Sequence, residues 1–489
     1  MMRQDMGLTS ALVAVVLLSV TASCTSNVPA PAVASSPKAA LMPDTTGRTL
    51  LPDFDRVELP SGAVLLLAPK RDVPLVSLSA VVRGGSVTDR PEHGGLASLT
   101  AALLEKGSGA RDAVAFVDQV AAVGGQLSSG AGLESAQISG EFLSDDTDLM
   151  IELLSDMLKA PRFEQAEFDK LRNRAIESLK AARDGDPRRL VSSYGRAFLF
   201  AGHPYGNPTA GTEVTLAALT LADVRAYYQA HYGADRLIVS VVGDFDVARV
   251  RAALEQSFGD WRQAAEPLVA IEPALRPKGR QVLLVDKPDA TQTYFWLANT
   301  GVARSYDKRA TLDVANTIFG GRFTSMLNTA LRVESGLTYG ASSRLSRPTQ
   351  PGSVALVSFT ANDTTAEAID LALATLLTFR TEPLGSPIVE SAKTYLRGQN
   401  PLSLETSGQV AGQLSNLEFY GLDRTYVDAY GASVAAVDPA ALAEVIAEVY
   451  PAQDDLLMVL IGKADEIRDT VAKYGTITEM AISEPSFTP

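Results

Sequence analysis

The chain of 489 residues contains a single cysteine, Cys24, so no intramolecular disulfide can brace its fold. Histidine is nearly as scarce. His93, His203 and His231 are the three, and no two stand at the spacing that would put a pair of imidazoles on one helix face to hold a metal. Basic residues are outnumbered, 43 Lys and Arg against 57 Asp and Glu, and the net charge of -14 gives no footing for a phosphate backbone. That excludes nucleic acid as a partner class. The apolar run Leu8 to Val20 is too short to span a bilayer. What is present is a composition 46% hydrophobic and 20% charged, in a chain long enough to exceed one core, so two or more domains are expected.

The apolar run is followed by the small residues Thr21, Ala22 and Ser23, the pattern of a secretion signal over residues 1–24. Val20-Thr21-Ala22-Ser23-Cys24 resembles a bacterial lipoprotein cleavage site, which implies lipid attachment at Cys24. Ser26, two residues on, resembles the outer-membrane sorting pattern. The expectation is an exported protein, in the periplasm and held to the outer membrane by its anchor. Residues 25–50 are rich in Pro, Ala, Ser and Thr without apolar periodicity, the composition of a flexible tether. Folded structure is expected from about Leu50.

The rest of the chain repeats itself. Val64-Leu65-Leu66-Leu67 recurs 218 residues later as Val282-Leu283-Leu284-Val285. The apolar strand Leu237 to Gly243 recurs at an offset of 219 as Leu456 to Gly462, and Leu154, Met157 and Leu158 correspond at the same offset to Leu373, Leu376 and Leu377. Strand-like runs alternate with helical patterns such as Ala113 to Val123, Asp145 to Lys159 and Glu164 to Arg183. The fold class expected is α+β, with one unit at 51–263, a proline-bearing linker at 264–279 and a second unit at 280–489.

Several short motifs then fall in a recognisable order: Arg83-Gly84-Gly85-Ser86, Gly94-Gly95-Leu96-Ala97, Gly124-Gly125-Gln126-Leu127, Gly202-His203-Pro204-Tyr205-Gly206 and Val242-Gly243-Asp244-Phe245. The second half adds Gly320-Gly321-Arg322-Phe323 and Gly336-Leu337-Thr338-Tyr339-Gly340. Together they resemble the insulinase/pitrilysin family of zinc metallopeptidases, including mitochondrial processing peptidase, over about Leu51 to Gly475. The resemblance implies two homologous insulinase-type domains forming half of a clamshell.

Active members hold zinc on an H-x-x-E-H helix, in which the two histidines bind metal and the glutamate acts on water. At the matching positions this chain has Ser98, Ala101 and Ala102. Leu96, Leu99 and Leu103 keep the helix amphipathic, so the packing role survives without the chemistry. The family's third ligand matches Glu177, which by itself cannot hold zinc and reads rather as an ordinary helix-surface acid. Ser98 also lacks the strand-turn-helix elbow of a serine nucleophile. His203 and His231 are expected to be structural hydrogen-bonders. Dimeric members of the family divide the work, and the zinc-less subunit supplies an Arg and a Tyr that match Arg332 and Tyr339. These could stabilise a developing oxyanion, or serve only in packing, with Arg332 paired to Glu334. The implied assignment is a subunit that binds no cofactor itself and works on unfolded peptide with a zinc-bearing insulinase-family partner. The alternative is a periplasmic peptide-binding or scaffold protein without an enzymatic partner.

Overall fold

The computed structural model describes residues 50–489, all within one compact unit; the expected signal segment, Cys24 and most of the expected tether lie outside the described residues. The fold is α+β, built on two six-stranded sheets. In the first half β1 (Asp55–Glu58), β2 (Val64–Pro69), β3 (Leu75–Arg83), β4 (Gln126–Ala131), β5 (Ser135–Leu143) and β6 (Leu237–Gly243) are ordered β1-β2-β6-β3-β5-β4. In the second, β7 (Gln281–Asp286), β8 (Gln292–Thr300), β9 (Ser342–Ser346), β10 (Ser353–Ala361), β11 (Leu457–Gly462) and β12 (Thr476–Ala481) are ordered β9-β10-β8-β11-β7-β12.

The repeated segments take equivalent places. Strand β2 runs parallel to β6 with Val64 opposite Ile238, and β7 runs parallel to β11 with Val282 opposite Met458. Only the sixth strand differs. β1 enters from the N-terminal side and pairs antiparallel, whereas β12 enters from the C-terminal side and pairs parallel.

Helices cover one face of each sheet from within its own half. In the first half these include α1 (Leu96–Leu103), α2 (Ala113–Ala122), α3 (Thr147–Lys159), α4 (Gln165–Gly185) and α6 (Leu221–His231); α5 (Val191–Leu199) goes elsewhere. In the second half they include α7 (Arg309–Phe319) and α8 (Ser386–Leu402). The other faces are covered by exchange. Helix α5 lays Val191, Tyr194 and Ala197 on the second sheet, against Leu283, Val285, Trp296, Val459 and Ile461. Helix α9 (Ser407–Tyr420) lays Val410, Leu414 and Leu417 on the first sheet, against Val64, Leu66, Val81, Ile238 and Val242. Both sets follow the three-to-four spacing of one helix face.

This exchange explains the sequence of the central strands. A strand with one wet face alternates, whereas one buried on both faces reads as a continuous apolar run. In β2, Leu65 and Leu67 face the core of their own half while Val64 and Leu66 face α9. Strand β7 divides in the same way, Val282 and Leu284 inward and Leu283 and Val285 toward α5.

Polar contacts fix the exchanged elements. Arg83 donates to the carbonyls of Glu418 and Phe419 at the C-terminus of α9 (2.9 and 2.6 Å), where a cation also complements the helix dipole. Ser415 of α9 bonds Ser240 of β6 at 2.8 Å and donates to the Ser79 carbonyl of β3 at 3.1 Å. The Gly-His-Pro-Tyr-Gly segment is a clasp of the same kind. The Tyr205 hydroxyl donates to buried Glu134 (2.7 Å), which also takes the Thr349 N–H of the second half (2.9 Å). Gly206 has no room for a side chain, since a Cβ there would sit 2.5 Å from the Phe200 carbonyl oxygen.

Candidate functional site

Helix α1 is positioned by a buried acid. Asp89 accepts from the N–H groups of Gly95 (3.0 Å) and Ala97 (2.9 Å), satisfying donors that the first turn of a helix leaves open. Gly95 has φ +92°, and a Cβ on it would come within 2.9 Å of Gly211 Cα, so glycine is required for the close approach. Burial pushes the Asp89 carboxyl up to about 7, against the pull of the backbone donors. The unfolded value is about 3.9, so the folded protein holds the extra proton between those values. The stability this group adds is therefore complete below pH ~4 and is lost as pH rises through ~7. Asp89→Ala should cost about 1–2 kcal/mol. The gap between wild type and variant in thermal unfolding should be wider at pH 5 than at pH 8; a gap that widens with pH would contradict this assignment.

On α1, Leu96, Leu99 and Leu103 are buried in the first core as the periodicity requires. The Ser98 hydroxyl donates to the Thr209 carbonyl at 2.6 Å, Ala101 is wholly buried, and Ala102 is half-buried. Glu177 lies on α4 with its side chain 70% exposed and its carboxylate 3.0 Å from Lys180 Nζ, an ordinary i, i+3 surface pair. These residues do not fit zinc. They offer one exposed carboxylate, a hydroxyl already committed and two methyl groups, and among the described residues no three His, Cys, Asp or Glu side chains converge as a ligand set.

Of the two histidines expected to be structural hydrogen-bonders only His203 is one, because burial leaves His231 Nδ1 without a partner among the described residues. His203 takes the Tyr205 N–H on Nδ1 (3.0 Å), which leaves Nε2 to donate to the Glu272 carbonyl (2.8 Å). His231 is buried at the end of α6 with its ring 4.5 Å from that of Tyr227, and burial followed by the nearby Arg236 lowers its proton affinity. His93 ends a short 3₁₀ turn ahead of α1.

The second half presents a different picture. Arg332 lies in a single π-helical turn, Thr329–Glu334, a distortion that often accompanies functional positions. Gly336, at φ +69°, ends that turn. The segment beyond it is pinned to β10: the Thr360 hydroxyl donates to the Leu337 carbonyl (2.7 Å) and the Ser358 hydroxyl to the Gly340 carbonyl (3.0 Å). The backbone is thus fixed while the Tyr339 side chain is directed outward, 77% exposed. The Arg332 guanidinium is sandwiched between the Tyr339 ring (4.4 Å) and the Phe323 ring (4.8 Å), a double cation–π contact. No ion pair to Glu334 forms, and among the described residues neither the guanidinium nor the Tyr339 hydroxyl has a hydrogen-bond partner. The structure therefore brings the two predicted residues together and leaves their donors free. Phe323, the third member of the stack, stands in the sequence only as part of a glycine motif, and nothing in the spacing marks it as a wall for Arg332.

Two family models match the chain in succession: "Insulinase (Peptidase family M16)" over residues 65–213 and "Peptidase M16 inactive domain" over 218–396. The chain belongs to the insulinase family. An uncharacterized zinc protease of Mycobacterium leprae (strain TN) is 27% identical over 75% of this chain and 82% of its own length. A protein described as a non-peptidase homolog, from Helicobacter pylori (strain ATCC 700392 / 26695), is 26% identical over 69% of this chain and 78% of its own. The same fold is found in the crystal structure of a peptidase M16 inactive domain from Pseudomonas fluorescens (TM-score 0.78, 22% identity, 84% of this chain and 98% of that one). This insulinase-family chain is a non-catalytic member; Ser98, Ala101 and Ala102, where the sequence reading expects the metal ligands, carry no metal-binding side chain.

Proposed function

We infer that the chain is the non-catalytic subunit of a bacterial insulinase-type peptidase. It presents Arg332 and Tyr339 to a peptide held at the zinc of a partner subunit, and a lipid on Cys24 keeps it at the envelope. The observation that carries this reading is the asymmetry of the molecule: α1 keeps its packing and has no ligands, while half-buried Arg332 is stacked on exposed Tyr339 and both are free to donate. A guanidinium and a phenol placed in this way can both donate to a peptide carbonyl as its oxygen gains charge, and such donors accelerate reaction because they bind the charged oxygen more strongly than the neutral one.

The decisive experiment is recovery of the chain from native envelope extract together with whatever it binds. The expected result is a co-purifying insulinase-family subunit with an intact H-x-x-E-H helix, peptide cleavage by the pair, and neither stoichiometric zinc nor cleavage by the isolated chain. Tightly held zinc at one per isolated chain would overturn the proposal. Recovery of the chain with peptides and no zinc subunit would favour the binding-protein alternative.

A further inference from the structure

A cleft of about 710 Å³ opens where the two halves meet, beside Arg332 and Tyr339. Its floor and walls come from the 3₁₀ turn ahead of α5, the Gly320–Phe323 loop, β9, β10 and α8. Four arginines line it: Arg188 and Arg189 from the first half, Arg322 and Arg344 from the second. No aspartate or glutamate is among the lining residues. In a chain whose net charge is -14, a wall of one-sided positive charge runs against the average composition. We propose that this cleft binds acidic peptide segments, whose carboxylates meet Arg188, Arg189, Arg322 and Arg344.

The side chains are available for that task. Arg189 and Arg344 have no hydrogen-bond or ionic partner among the described residues. Arg188 is 57% exposed and only loosely paired, 3.6 Å from Asp186. Arg322 spends one nitrogen on the Ser391 hydroxyl at 3.0 Å, while its Nε is buried without a partner. Guanidinium groups engage carboxylates through two parallel N–H donors, which favours carboxylate recognition over mere charge attraction. Aromatic surface accompanies the charge, with Phe323 and Tyr395 exposed on the same walls.

The outward edge of β9 is partly occupied: the Ser343 N–H donates to the Gly320 carbonyl (3.0 Å), and just ahead of the strand the Ala341 N–H donates to Asn328 Oδ1 (3.1 Å). Little backbone is left there for pairing, so recognition falls mainly to side chains and hence to peptide charge. Nor does the chain's own N-terminal stretch supply the occupant, since residues 1–49 contain only Asp5 and Asp44 as acids. The inference rests on the peptide-handling reading for its purpose. Its test does not, because binding is measured on the full chain without a partner.

The experiment compares fluorescein-labelled decapeptides of Glu and Ala, of Gln and Ala, and of Lys and Ala by anisotropy. The Glu peptide is expected to bind at least about tenfold more tightly than the Gln peptide, the equivalent of one charge-assisted hydrogen bond. Binding should weaken as salt shortens the range of the field. Arg188→Gln with Arg189→Gln, and separately Arg344→Gln, should each weaken the Glu peptide about tenfold with thermal stability unchanged. Arg249→Gln, at an exposed surface position elsewhere, should not. Equal affinity for the Glu and Gln peptides, or full retention by the arginine variants, overturns the proposal. So does loss of partner binding in those variants without any Glu-peptide affinity in the wild type, since the cleft would then be a subunit interface. Displacement by inorganic phosphate at concentrations that leave the Gln peptide's weak binding untouched is expected; displacement of both peptides alike would show a non-specific site and count against it.

Discussion

Trp296→Ala is expected to cost about 3–5 kcal/mol in urea unfolding, the range for truncating a large buried aromatic residue. Trp296 stands on β8 on the face that receives α5, and is 3% exposed. The helix meets it with a glycine: a Cβ on Gly195 would lie 2.5 Å from Trp296 Cδ2, so the indole rests directly on the helix backbone. Removing it leaves a void that α5 can fill only by shifting off Val459 and Ile461. Gly195→Ala should in its turn cost about 1–3 kcal/mol by overpacking. The two changes should not add, because the methyl group enters the space the indole leaves. A double variant as unstable as the sum of the singles would show that the contact is not the basis of either effect. Since each half covers the other's sheet, a single cooperative transition is expected rather than two; separated transitions would mean that the exchanged helices contribute little.

The exchange itself was beyond the reach of the sequence. Continuous runs such as Val64-Leu65-Leu66-Leu67 and Val282-Leu283-Leu284-Val285 announce burial on two sides, and their recurrence announces a repeated unit. Neither says which helix lies on the second face, because α5 and α9 carry apolar spacing that any nearby sheet could satisfy. Chain order gives two homologous units joined by a linker but does not show that each half covers a face of the other's sheet. At the three positions where the family motif would place two His and a Glu, the sequence shows Ser98, Ala101 and Ala102; that the Ser98 hydroxyl is committed to the Thr209 carbonyl and Ala101 wholly buried needed the fold. The Arg332 environment was only half legible. Seven residues of spacing place an arginine near a tyrosine but do not show that Phe323 closes the stack or that Glu334 stays apart. The basic cleft was invisible, because its arginines are brought together from three separate segments of two halves.

The same juxtaposition gives the Arg332–Tyr339 pair its context. Arg332 and Tyr339 sit at the border of the cleft through their neighbours Phe323 and Gly340, so a peptide gripped by carboxylates in the cleft would run past both donors. Remote binding of that kind aids catalysis only when it fixes the reacting carbonyl against groups that favour the charged transition state.

Tyr339→Phe tests that last step with little disturbance elsewhere, because it deletes one hydroxyl and leaves the ring that shields Arg332. The phenyl face still stacks on the guanidinium, and the Thr360 and Ser358 bonds to the loop involve backbone carbonyls that the substitution does not touch. In the reconstituted complex with a zinc-bearing partner, turnover is expected to fall about 100-fold, or about 3 kcal/mol, the usual effect of losing one donor to a developing oxyanion. The loss should appear in kcat and in kcat/KM alike, with subunit affinity and thermal stability unchanged, as required of an interaction made only in the transition state. Arg332→Lys is the companion, since it retains the charge and most of the aliphatic stem but loses the planar fork that stacks and donates in two directions. If both variants cleave peptide at the wild-type rate in a well-formed complex, the pair serves packing alone and the chain acts as a scaffold.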